Sequence, residues 1–213
     1  MVEPQPPDDP EERASDLHRH VSVAKVFTLD PSGPNPYFFA KHLVKYAWSW
    51  MTRRDDGVCV SIDTRRLEPG AYTVWFRVFD DPSSCNNPDP AGARCSRLDI
   101  PACRAAGTCS VLWVTGALVG VDGKSHVSAC LAEGGKPGFV FFGNGLADAR
   151  AAEIHAVLKH HGEAAFSATD PATQARLGRQ LSTPGGNCEG MPGDTLTECP
   201  DLQVTYHRAP GVH

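Results

Sequence analysis

Histidine is the residue type through which this chain could most readily do chemistry. Nine of them stand in 213 residues that carry a net charge of −5. His18-Arg19-His20 sets two imidazoles on one face if that stretch is extended, because strand side chains repeat every two residues. Neutral imidazole pairs of this kind suit copper or zinc. Glu153-Ile154-His155 and His160-His161-Gly162 make a second group. Read as a strand, it places His155 and His161 roughly 20 Å apart at ~3.3 Å per residue, too far to share one ion. Read as a helix, it puts them on different faces. A site therefore needs a partner from another strand, and His207 is the best placed, on the polar face of a closing strand with Gln203 and Thr205. His155 or His161 beside His207, with His18 or His20 as a third ligand, would hold copper, zinc or iron. The plainer expectation is that these imidazoles hydrogen-bond the backbone or decorate a sheet.

Other catalytic patterns are weaker. The chain has no G-x-S-x-G elbow, no H-E-x-x-H helix, no Gly-rich phosphate loop after a strand and no C-x-x-C-H haem attachment. Asp148 with Glu153 reads as a solvated edge before it reads as an acid/base pair. Tyr46, Trp48 and Trp50 share one strand face and could line a ligand pocket or stack on a sugar. The core of a sandwich or barrel is the plainer home for them.

Positioning these residues requires elements, and the cysteines say what kind of chain holds them. There are eight, an even number, with no C-x-x-C pair to suggest a zinc cluster. Loop lengths suggest Cys85–Cys95, Cys103–Cys109 and Cys188–Cys199 as local clips, leaving Cys59–Cys130 to join two strands. Disulfides belong to oxidising compartments, so an extracellular or cell-envelope protein is expected. Because MVEPQPPDDPEER has neither a basic nor an apolar leader region, a removed signal peptide is expected ahead of it, the plainer alternative being a cytosolic protein with unpaired thiols. A pI near 6.0 argues against a general nucleic-acid binder. No apolar run approaches the roughly 18 residues of a membrane-spanning helix.

Residues 1–14 are acidic and proline-rich and read as a disordered tail, leaving 15–213 as a single β domain. Alternation of period two dominates that domain. The stretch from His20 to Phe27 gathers Val21, Val23 and Phe27 on one face. The aromatic stripe, the turn Asp55-Asp56-Gly57 and the run Val58, Val60, Ile62 read as a hairpin. Glu68-Pro69-Gly70 turns into the strongest strand, Tyr72 to Phe79, and residues 80–109 are a cysteine-clipped excursion. Ser110 to Val121 and Ser125 to Ala132 read as a second hairpin about Asp122-Gly123. Short strands follow at Phe139 to Phe142, Ile154 to Lys159 and Leu202 to His207. Asp170-Pro171 opens the one short helix, with Asp as N-cap and Pro at the first helical position. The fold class is all-β, an antiparallel sandwich or closed barrel of about eight or nine strands.

Three segments also resemble an uncharacterised group of exported bacterial proteins. They are Thr73-Val74-Trp75-Phe76-Arg77-Val78-Phe79-Asp80-Asp81-Pro82-Ser83-Ser84-Cys85 after Leu67-Glu68-Pro69-Gly70, then Gly145 to His155 running on to His161-Gly162, and last Cys199 with Asp201-Leu202-Gln203-Val204 and His207. The resemblance spans roughly residues 57 to 208 and implies export and a β-rich domain without bringing an activity.

Three functions follow as expectations. The first is an exported metal-binding β-domain, with a metal-dependent enzyme or a haem protein as variants. The second is a non-catalytic extracellular module that binds a surface polymer or a protein. The third is a barrel around a small molecule, with cofactor-free isomerase or cyclase chemistry. A flat exposed aromatic face would favour the second, and an interior cavity lined by Trp48, Trp50, Trp75 or Trp113 the third.

Overall fold

The computed structural model describes residues 21–29, 40–135, 137–167, 169–182 and 199–211. These residues form nine strands: β1 (Val21–Leu29), β2 (Ala40–Arg54), β3 (Gly57–Thr64), β4 (Gly70–Phe79), β5 (Cys109–Val119), β6 (Ser125–Ala132), β7 (Phe139–Phe142), β8 (Glu153–His160) and β9 (Asp201–His207). All pair antiparallel in one sheet, in the order β6-β3-β2-β1-β9-β8-β4-β5-β7. The expected all-β class holds, and the sheet is barrel-like, curled into a half-barrel. Its inner face is the core, where Val26, Met51, Ile62, Phe76, Leu112 and Leu158 meet.

Among the described residues two short helices accompany the sheet, α1 (Ile100–Ala106) and α2 (Pro171–Ser182). Only α2 is legible beforehand: the Asp170 carboxylate accepts from the Ala172 and Thr173 amides, which have no partner inside the helix. The C-terminus of α2 seats on β5. The Trp113 indole N–H donates to the Leu181 carbonyl at 3.1 Å, and a Cβ at Gly116 would lie 2.5 Å from that oxygen. The smaller α1 sits within the clipped excursion, where Cys85–Cys95 and Cys103–Cys109 form as expected. Cys59–Cys130 joins β3 to β6. Cys199 is disulfide-bonded, while Cys188 lies outside the described residues, as do the acidic tail and the loop from Asp30 to Pro36.

Three expectations need correction. The aromatic stripe does not enter the core. The tight turn pairs Arg54 with Gly57, which sets Ser49 opposite Ile62 and Met51 opposite Val60. Because the period is two, the aliphatic face of β3 can meet only the Ser49/Met51 face of β2, and Trp48 and Trp50 must point outward. β1 is inverted for the same reason. Val23 pairs with Trp50 and is 58% exposed, while Val26 lies in the core. Finally, β5 and β6 share a tight turn, with Gly123 at φ 65, yet do not pair as a hairpin. β5 pairs with β4 and β6 with β3, so this turn links distant parts of the curled sheet.

Candidate functional site

β9 turns its polar residues inward. Gln203, Thr205 and His207 are buried inside the curl. The Ser49 hydroxyl donates to the Ser61 carbonyl at 3.1 Å, so it must accept from His207 Nε2–H at 2.7 Å. His207 Nδ1 then accepts from the Ser22 hydroxyl at 2.9 Å. Burial, reinforced by the positive charge of Arg53, depresses the His207 pKa to about 3. The ring is a neutral, fully satisfied core group and a poor base at ordinary pH.

His155 lies on the opposite side of the sheet, because β8 pairs it with Tyr206 and pairs Ile154 with His207. Its Nε2–H donates to Glu153 at 2.7 Å, and its ring packs between Phe79 and Tyr206. Glu153 also accepts from the Arg94 and Cys95 amides at 3.0 and 2.9 Å. Burial opposes ionisation of Glu153, yet the His155 hydrogen bond and charge and the two amides outweigh it, leaving the carboxyl below its ordinary pKa. This pair pins the clipped excursion to the sheet. Nearby, Asp201 is shared by Arg77 at 2.7 Å and Lys159 at 3.0 Å. His161 places Nε2 2.7 Å from the Thr73 hydroxyl and Nδ1 3.3 Å from Cys199 Sγ.

Among the described residues, the expected ligands His155, His161 and His207 are therefore not gathered into one site. His155 and His207 face opposite sides of the sheet, and the rings of His155, His161 and His207 bond to other protein groups. His18 and His20 lie outside the described residues. Among the described residues, no group of three or more His, Cys, Asp or Glu is placed to hold a metal ion.

What the fold does assemble is on the outer face of β2, β3 and β6. Tyr46, Trp48 and Trp50 line a groove of about 340 Å³ with Asp63, Thr64, Arg65, Lys124, Ser125 and His126. Tyr46 is 76% exposed, Trp48 39% and Trp50 38%. Val23, opposite Trp50 on β1, extends the apolar strip. The Lys25 ammonium rests 3.3 Å from the centre of the Trp48 ring, and the Arg65 guanidinium lies 5.8 Å from that of Tyr46. Buried Gln203 fixes one rim, accepting from the Thr64 hydroxyl and donating to the Arg65 carbonyl at 2.9 Å. His126 bonds Asp63 across the other rim at 2.5 Å.

The four tryptophans divide by their indole N–H groups. Trp75 donates to Thr73 and Trp113 to Leu181. Those of Trp48 and Trp50 have no partner among the described residues. Tyr46 has φ 61, a conformation bulky side chains rarely adopt, produced where β2 bulges against β1 between Leu43 and Trp48. Such strain concentrates at functional positions. The stripe is legible in the sequence but its outward direction is not, and no local signal marks Arg65, Lys124 and His126, which reach the groove only through the β2-β3-β6 pairing. No protein-family model, curated protein or solved structure matches the chain.

Proposed function

We propose that this protein is a non-catalytic extracellular binding module whose outer β2-β3-β6 face recognises a surface polysaccharide. The observation that supports this reading is the aromatic strip Tyr46, Trp48 and Trp50, exposed in a polar-rimmed groove with its indole donors unspent. Aromatic rings offer sugars an apolar platform, and the surrounding Thr64, Ser125, Asp63 and Lys124 supply hydrogen-bonding groups at the rim. Alternate residues on one strand face repeat every ~6.6 Å, so the strip is suited to successive units of a chain. Three described disulfides are compatible with an extracellular setting. No helix among the described residues is long and apolar enough to cross a membrane.

The test is affinity electrophoresis and titration calorimetry against a panel of polysaccharides, with Trp50→Ala and Phe166→Ala compared. Phe166 is 72% exposed and does not line the groove. Loss of a central aromatic contact costs about 2 kcal/mol, or roughly 30-fold in affinity. Retardation of the parent protein, lost in Trp50→Ala and kept in Phe166→Ala, is expected. Binding indifferent to Trp50, or none across the panel, would contradict the reading.

A further inference from the structure

We infer that the polymer is anionic, a uronic-acid polysaccharide whose carboxylates are taken by Arg65; this rests on the polysaccharide reading above and names its substrate class. Charge balance carries it. The chain has a net charge of −5, yet the groove inverts that sign, with Arg65 and Lys124 in its lining and Lys25 on the Trp48 ring. The single carboxylate in the lining, Asp63, is held by His126 at 2.5 Å. Lys124 has a loose surface contact with Asp122 at 3.9 Å, which leaves its ammonium available to a ligand.

Arg65 is the anchor. Its side chain is half-buried beside Tyr46, with no ion pair among the described residues, and its Nε is buried without a hydrogen-bond partner. A guanidinium left partly desolvated and unpaired is costly unless something binds it. Its planar fork matches a carboxylate through two parallel hydrogen bonds, where an ammonium offers a point charge. The backbone holds it there on purpose-built geometry: Gln203 ties its carbonyl, and the next residue, Arg66, has φ 62. Tyr46 and Arg66 are the two non-glycine residues with positive φ among the described residues; Tyr46 lines this groove, and Arg66 directly follows the lining residue Arg65. A uronate ring placed over the aromatic strip with its carboxylate on Arg65 uses both features at once.

The experiment pairs each acid with its neutral twin: oligogalacturonate, alginate and hyaluronan oligosaccharides, each as the free uronate and as the methyl ester, titrated into the full chain. The expected result is that at least one uronate binds ten-fold or more tightly than its ester. That advantage should shrink at 0.5 M salt, collapse in Arg65→Gln and recover in part in Arg65→Lys, while Trp50→Ala weakens acid and ester alike. Thermal melts of the variants show that each is folded. Equal binding of acid and ester overturns the anionic assignment and leaves the polysaccharide reading standing. Binding of neither form by the folded protein also overturns the anionic assignment, while the polysaccharide reading falls only if the wider panel shows no binding either.

Discussion

Backbone strain and side-chain exposure coincide at Tyr46. A bulky side chain in the left-handed region costs ~1–2 kcal/mol, and at 76% exposure its ring recovers little of that by burial. Replacing it with Gly removes the strain and adds a backbone-entropy penalty of ~0.5–1 kcal/mol. We predict that Tyr46→Gly keeps stability within about 1 kcal/mol of the parent in urea unfolding while lowering polysaccharide affinity several-fold. A loss above about 2 kcal/mol would mark Tyr46 as a packing residue. The residue types at this site were readable from spacing, since Tyr46, Trp48 and Trp50 stand two apart. Their direction was not, because which face of a strand is buried depends on the partner's register. His207 shows the converse. Its strand and its company of Gln203 and Thr205 were legible, but polar residues suggested a wet face, and the structure buries them inside the curl with every ring nitrogen bonded.

Among the elements, the β2-β3 hairpin is the platform of the groove and β6 its far rim. Local signals located all three strands: Asp55-Asp56-Gly57 closes the hairpin, and alternation marks β6. Non-local pairing was not legible, because nothing in the run Ser110 to Ala132 announces that β5 and β6 part company to pair with β4 and β3. The disulfide is the exception, since loop lengths alone left Cys59 to Cys130. It closes a separation of 71 residues between directly opposed positions, worth about 4 kcal/mol in the chain-entropy account. Cys59→Ser with Cys130→Ser should therefore lower the Tm by roughly 8–15 °C. Melting measured in oxidising buffer tests this, and an unchanged Tm would show that the β3-β6 edge is held without the bridge. Because Cys59 shares the outer face with Ser61 and Asp63, the same variant should also weaken ligand binding by loosening the His126 rim.

Taken as a whole, the molecule places two kinds of ionisable group where acid works against folding. His207 has its pKa depressed to about 3, chiefly by burial, and His160 is lowered by burial too. The unfolded chain takes up these protons below about pH 6.5 while the folded one refuses them, so stability falls with pH across that window, by about 1.4 kcal/mol per unit for His207. Glu153 and Asp201 are net lowered although burial opposes their ionisation, through His155 for the first and Lys159 and Arg77 for the second. Their contribution is present above the ordinary carboxylate range and is lost as pH falls through their lowered values. Urea unfolding from pH 7 to 4.5 should show a steady loss of stability, with a shallower slope in His207→Gln, whose amide can keep both serine partners. An unchanged slope in that variant would show that His207 does not contribute to the acid sensitivity. Indole N–H resonances followed during titration with a uronate oligosaccharide report most directly on whether the outer aromatic face of the curled sheet is the binding surface. The Trp48 and Trp50 signals, whose donors have no partner among the described residues, should shift, while those of Trp75 and Trp113, bonded to Thr73 and Leu181, stay in place. Shifts confined to Trp75 or Trp113 would contradict binding at that face.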